Sequence, residues 1–476
     1  MRFSRLPCTT PLTLCWRSSL QVIVPRLPPF RAFRFSAPSS VSMYAKCCTS
    51  SEAFKGHLML VSDLDLTMVD HEDSTHRALL DFNCLWASEY GHNSHLVYSS
   101  GRSMQRYLEL EKVAPLLTPD VLILSVGTEI RLGTSLEVDK AWAKELDDGW
   151  NRDIIVEEAL KLSSLRFQEE PDQGLHKVSF KVDRAKGQDM QETFSKRLSE
   201  RGLRVKVLYS SGIDLDVLPY KAGKGQALAY LLKKLNQNDI THKNVLVCGD
   251  SGNDIDLFTV EGVHGVIVAN AQEELERWHQ LHGSNANIFR ASQRCAGGIM
   301  EALQYFRFGP QLHLKDKANH ESLPLFAERS VPFPAAVHRE VVEFNEFMIN
   351  WLLGEVSNTE SSFARLSGVI SDQMKAVLPE GIELTAEELL CKLRKEYGSI
   401  QVSGLRTWLD KINEQKLAEG VYLVTWQTWE QPPAGEKKGY FTSAVLKPKA
   451  GTTNGLEWLH FHKTFRSTND PKRPQM

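Results

Sequence analysis

The sequence predicts an α/β protein built on a doubly wound, Rossmann-like parallel sheet, with an inserted α+β unit and a separate α+β domain after it. Three observations carry this reading. Four short, nearly continuous apolar runs of strand length alternate with amphipathic helical stretches, the pattern of strands buried on both faces. Between the third and fourth runs the pattern changes to alternating strands with helices between them. Beyond a proline-containing stretch near 323–334, a long helical pattern is followed by aromatic-rich strands, which marks a further folded unit. A chain of 476 residues exceeds one ordinary core, so two or three units are expected.

Residues 1–51 differ from the rest. They carry Arg2, Arg5, Arg17, Arg26, Arg31 and Arg34, many serines and prolines, and no acidic residue before Glu52. That is the composition of an organelle transit peptide, or of an upstream extension with Met43 as the working start. The apolar runs are His57–Ser62, His95–Ser99, Val121–Ser125 and Asn244–Cys248, with helices expected over Arg77–Glu89, Gly225–Leu235 and Asp254–Glu261. The core is therefore expected over 52–133 and 220–312, and the insertion over 134–219. The insertion shows strands near Lys177–Val182 and Arg204–Leu208 and helices near Trp150–Leu162 and Asp189–Arg201. A linker (313–334), a C-terminal domain (335–466) and a tail (467–476) complete the chain. In that domain Val337–Leu353 has helical spacing, and Gly420–Trp429, Lys438–Leu446 and Glu457–Phe465 read as strands.

Composition narrows the function. A net charge of -3 and the absence of a long basic stripe argue against nucleic acid. No apolar run reaches the length of a membrane-spanning helix. The eight cysteines show neither zinc spacing nor a dense disulfide framework, in keeping with a reducing compartment.

Four motifs carry chemistry. The first apolar run ends in Asp63-Leu-Asp65-Leu-Thr67. Spacing of two on a strand projects both carboxylates the same way, and phosphoryl transfer to a carboxylate needs a nucleophile, an acid beside it and a metal. Such a pair can also merely cap the next helix. The second run leads into Ser100-Gly101-Arg102, a hydroxyl and backbone N–H groups able to seat an anion, or an ordinary helix cap. Lys224, between Gly223 and Gly225, opens a helix and can hold a phosphoryl group. The fourth run enters Gly249-Asp250-Ser251-Gly252-Asn253-Asp254, an acidic loop suited to a hard cation that takes one or two carboxylates. All four follow or flank predicted parallel strands, beyond whose carboxyl ends ligands bind.

Motifs in this order resemble those of the haloacid-dehalogenase-like phosphatases, over Leu58–Glu261. The strings Val61-Ser-Asp-Leu-Asp-Leu-Thr-Met-Val-Asp-His71, Tyr98-Ser-Ser-Gly-Arg-Ser103 and Gly127-Thr-Glu-Ile130 are similar, more closely, to the plant sucrose-phosphate phosphatases, whose extent runs to about Phe465. The resemblance implies that Asp63 attacks phosphorus and Asp65 serves as acid, then base. It implies Mg²⁺ held through Asp63, Asp65 (by its carbonyl) and Asp250, supported by Asp254. Ser100, Gly101, Lys224 and Asn253 would hold the phosphoryl oxygens, while Arg102, Glu129, and His176 and Lys177 on the insertion, a cap, would meet the sugar. Ser100 stands where relatives usually have threonine, which keeps the hydroxyl. A nuclear-transport-factor-like fold is implied for the C-terminal domain, with docking to a sucrose-phosphate synthase or pairing into a homodimer as its roles. The family's compartment is the cytoplasm; the basic leader offers the chloroplast as the alternative.

Overall fold

The computed structural model describes residues 58–133, 135–210, 212–235, 242–282, 285–308, 333–401 and 404–466. The leader, most of the linker and the tail lie outside these residues, as does any targeting role of the leader.

The eight-stranded sheet grows outward from one strand. β1 (Met59–Ser62) is followed by α1 (Arg77–Leu85), β2 (His95–Ser99), α2 (Met104–Val113) and β3 (Val121–Leu124). β4 (Glu129–Leu132) and β5 (Glu137–Val138) form an antiparallel edge, and α3 (Lys140–Leu146) follows. After the cap, the chain returns with α6 (Lys224–Leu235), β10 (Val245–Gly249), α7 (Ile255–Phe258), β11 (His264–Ile267), α8 (Glu273–His282), β12 (Ile288–Arg290) and α9 (Cys295–Tyr305). The strand order is β12-β11-β10-β1-β2-β3-β4-β5, and β1 pairs in parallel with both β2 and β10. The order reverses there, so the crevice at the carboxyl ends of β1 and β10 is the switch point where ligands bind. Buried Met59, Val61, Val97 and Val247 pack on one face; Leu60, Leu96, Tyr98 and Leu246 pack on the other.

The cap comprises α4 (Arg152–Leu160), β6 (Arg166–Phe167), β7 (Val178–Lys181), α5 (Gly187–Glu200), β8 (Val205–Ser210) and β9 (Asp214–Pro219). Its antiparallel sheet, order β6-β7-β9-β8, covers Ile155, Phe180, Phe194 and Val217. The insertion was expected from residue 134. Hydrogen bonding instead keeps β5 in the main sheet, and Trp142 and Leu146 of α3 join the main core. β7 is buried at three of its four positions, more than a half-exposed strand would be, because Ser179 on its outer face is covered by Asp172, Gln173 and Asp216.

The C-terminal unit is α+β, as expected. Helices α10 (Phe333–Leu353), α11 (Glu360–Ser367) and α12 (Ala386–Lys395) accompany β13 (Ile370–Val377), β14 (Glu383–Thr385), β15 (Arg406–Ala418), β16 (Val421–Gln431), β17 (Lys438–Pro448) and β18 (Leu456–Phe465). The sheet order is β14-β13-β18-β17-β16-β15. Its core gathers Trp351, Trp426 and Trp458, large rings that fill the space between helices and sheet. Trp408 and Trp429 leave that core and pack with Leu79, Phe82, Trp86 and Leu110 of the first domain. Arg339 donates twice to Glu89 at 2.6 Å, and Asp410, fully buried, accepts from the Thr118 hydroxyl at 2.6 Å. Glu89 and Thr118 lie in segments that lead into the amino ends of β2 and β3. The C-terminal domain therefore docks at the end of the sheet opposite the crevice.

Candidate active site

Parallel pairing brings Ser62 level with Cys248, so Asp63 and Asp250 emerge side by side. The Asp63 N–H donates to the Cys248 carbonyl at 3.1 Å, which fixes the end of β1. The acidic loop is closed on itself by Asp254. One of its oxygens accepts from the N–H groups of Asp250 and Ser251, both at 3.1 Å, and from the Ser251 hydroxyl at 3.2 Å. Carboxylate oxygens of Asp63, Asp250 and Asp254 come within 4.8 Å of one another. Lys224, with no exposed surface, stands 3.0 Å from Asp63 Oδ1 and 2.7 Å from Asp254 Oδ1. Asp250 accepts from Thr67 Oγ1 at 3.0 Å and Gln272 Nε2 at 3.3 Å.

Three buried carboxylates crowd together with a single ammonium beside two of them, so their mutual repulsion exceeds what one positive charge offsets. Burial pushes the Asp63 carboxyl well up; Lys224 pulls it down, and Asp254 and Asp250 push it up again. Burial and Asp254 raise Asp250 to about 7, against the pull of Thr67 and Lys224. Burial works against the charge on Lys224, but Asp254 and Asp63 hold it above the ordinary lysine value. Carboxylates this reluctant to ionise fit a site completed by a divalent cation. The Asn253 side-chain oxygen, buried and without a donor among the described residues, adds a further oxygen beside the loop.

Asp65 is held differently. Arg102 donates to both its oxygens at 2.7 Å, and His71 Nε2 lies 2.6 Å from Oδ1. Partial burial works to raise its pKa, yet these hydrogen bonds outweigh it and keep the carboxyl far below the usual range. In this arrangement Asp65 only accepts hydrogen bonds; acting as an acid requires Arg102 to leave. Ser100, fully buried, receives the Arg102 N–H on its hydroxyl at 3.1 Å and donates its own N–H to Ile123. A strand end, an acidic loop and a helix start thus bring a carboxylate pair, a three-carboxylate cluster and a buried hydroxyl into one crevice.

The chain matches the family model of sucrose-6F-phosphate phosphohydrolases over residues 56–307 and the model of their C-terminal domain over 337–467. It belongs to the sucrose-6-phosphate phosphohydrolase family. It is 43% identical over 411 residues to sucrose-phosphatase 1 of Nicotiana tabacum, covering 86% of this chain and 95% of the relative. The probable sucrose-phosphatase 2 of Arabidopsis thaliana is 43% identical over 409 residues, 86% of this chain and 94% of the relative. A solved sucrose-phosphatase from Synechocystis sp. PCC6803, in complex with sucrose and phosphate, is 36% identical with a TM-score of 0.49, covering 53% of this chain and 98% of that one.

In this family member the four residues expected to meet the sugar divide into two pairs. Arg102 lies in the crevice on Asp65, and Lys177 reaches from the cap to the Gly101 carbonyl at 3.2 Å, with Asp216 at 3.8 Å. His176 is buried and bonds to Asp147 at 2.8 Å, while Glu129 pairs with Arg131. Sequence reasoning passed over His71, Gln272 and Arg106, the last joining α2 to cap residues Glu169 at 2.6 Å and Asp172 at 3.1 Å. Gln272 lies 22 residues beyond Asp250, outside every motif, and only tertiary pairing brings the two together.

Proposed function

We propose that the chain hydrolyses sucrose 6-phosphate to sucrose and phosphate through a phosphorylated Asp63. The observation that carries this is the meeting of Asp63, Asp250 and Asp254 around Lys224 at the switch point, in a chain of this family. Asp63, at the rigid end of β1, is the nucleophile: its oxygen attacks phosphorus while the bond to the sugar oxygen breaks. Asp65 supplies the proton to that oxygen and later withdraws one from a water that attacks the phosphorus, as the Asp63–phosphorus bond breaks and phosphate leaves. Its salt bridge must first be exchanged, and an incoming phosphate is the natural new partner for Arg102.

Lys224 and the Ser100–Gly101 seat hold the phosphoryl oxygens, with Asn253 at the edge. Mg²⁺ would be held by the carboxylates of Asp63 and Asp250 and the Asp65 carbonyl, where it would screen the charge between nucleophile and phosphate. Asp254 uses both oxygens on Lys224 and the loop, which suits it to orient that shell. Glu129, His176 and Lys177 face the sugar side once their present partners are exchanged; discrimination among esters belongs there, because a phosphate seat cannot tell one sugar from another. The test is phosphate release from a panel of sugar phosphates, with and without Mg²⁺. Sucrose 6-phosphate should give the highest kcat/KM; a better rate on another ester would replace the substrate. The cytoplasm is the compartment we propose, tested by the location of a fluorescent fusion to residues 1–51.

A further inference from the structure

Between β3 and β4 the chain adopts left-handed backbone at three successive residues: Ser125 at φ 52°, Val126 at φ 58° and Gly127 at φ 84°. For a β-branched residue such as Val126 this is a true outlier, and it persists only where the surroundings impose it. On one side the turn grips the phosphate seat. The Ser125 N–H donates to the Arg102 carbonyl at 2.8 Å and the Val126 N–H to the Ser100 carbonyl at 3.1 Å. The carbonyl between them, Gly101, is taken by Lys177 of the cap at 3.2 Å. In a planar trans peptide the carbonyl and the next N–H point opposite ways. Tying these three carbonyls therefore fixes the direction of the N–H groups of Gly101, Arg102 and Ser103.

On its other side the turn presses on the lysine motif. A Cβ at Gly127 would lie 2.2 Å from the Gly223 carbonyl oxygen and 2.8 Å from the Lys224 backbone nitrogen, so only glycine permits this approach. The Gly127 carbonyl is itself anchored by the Trp142 indole at 3.1 Å, and Trp142 packs at 4.9 Å on Tyr230 of α6, the helix that Lys224 opens.

We propose that the turn Ser125–Gly127 is a positioning element of the reaction, whose strained form sets the spacing between the phosphate seat and Lys224. This rests on the phosphatase reading of the same crevice. Val126 and Gly127 are its positioning residues: Val126 stiffens the turn and touches the seat, with a methyl 3.8 Å from where a Gly101 side chain would begin, and Gly127 sets the distance to Lys224.

The test compares Val126→Gly, Val126→Ile and Gly127→Ala with the parent, on sucrose 6-phosphate and on p-nitrophenyl phosphate, at a temperature where circular dichroism shows each variant folded. Parent activity on either ester establishes the underlying reading; a folded parent inactive on both overturns that reading and the proposal with it. With an active parent, Val126→Gly should lower kcat/KM roughly ten- to a hundredfold on both esters alike and weaken competitive inhibition by orthophosphate to match. Val126→Ile should stay near the parent. Gly127→Ala should lose activity on both esters, and if it fails to fold, Val126→Gly still decides. Unchanged rates and phosphate inhibition in folded Val126→Gly, or a loss confined to the sugar ester, overturn the proposal.

Discussion

Removing the divalent cation should make stability depend on pH in one direction. The perturbation is chelation, and the group is Asp250, raised to about 7 from its ordinary 3.8 by burial and by Asp254. The native state keeps a proton there up to about pH 7, whereas the unfolded chain has released it by about pH 4. The native state binds more protons across that window, so stability present below pH 4 is lost as the pH climbs toward 7. The rise corresponds to about 4 kcal/mol, and for a domain of this size to a fall in Tm on the order of 10 °C. The assay is thermal unfolding of chelated protein at steps from pH 5 to 8, with and without excess Mg²⁺. Magnesium binds the ionised carboxylates, so it should flatten the profile and lift Tm most at the alkaline end. Asp250→Asn should reduce the slope, and what is left belongs to Asp63, whose carboxyl burial also raises. A chelated parent whose Tm does not fall between pH 5 and 7, or Asp250→Asn with the full slope, refutes the reasoning.

Four further outcomes are expected. Asp63→Asn should abolish turnover without lowering the Tm of the chelated protein, since it takes one charge from a crowded cluster; phosphate-release and melting assays check this. Lys177→Met should lower kcat/KM on p-nitrophenyl phosphate by roughly five- to tenfold, because its ammonium holds the Gly101 carbonyl, and by more on the sugar ester, which also loses a hydroxyl partner. Glu129→Gln should affect the sugar ester alone, which the same two assays separate. Thr118→Val should destabilise the protein by about 1.5–3 kcal/mol in a denaturant titration, as it takes a hydroxyl donor from buried Asp410, and should leave kcat unchanged.

The parallel strands were legible because burial on both faces turns a strand into an apolar run: His95–Ser99 matches β2 residue for residue. Strands that break that rule escaped notice. His264–Ile267 opens on a histidine and a glycine, and the outer half of Arg406–Ala418 is polar and exposed. Both are held by neighbours rather than by their own composition. The end of α1 shows a similar limit, since the helix expected to Glu89 widens into a π-helical turn over Trp86–Tyr90, where α10 packs. At the site, motif residues were readable because strand ends and loop glycines announce themselves locally. The partners that set their chemistry were not, since His71 on Asp65 and Gln272 on Asp250 depend on how loops meet in space. The left-handed turn after β3 gave only its glycine as a sign, and nothing in Ser125 or Val126 announces positive φ.

The pairing of β1 with β10 also sets a timetable. Met59 finds Val245 across the sheet, and a ribosome adding about 5–20 residues per second delivers the second strand roughly 10–40 s after the first. Until then one edge of β1 has no neighbour, and its apolar run is the sort of open edge that recruits other chains. The residues that close the far side of this core, Trp408 and Trp429, emerge later still. Insertion of the cap between the halves lengthens this interval, so the nascent chain is most exposed to misassociation while the cap is being made. Yield during expression should therefore respond to translation speed and to chaperone supply more than to the equilibrium stability of the finished enzyme.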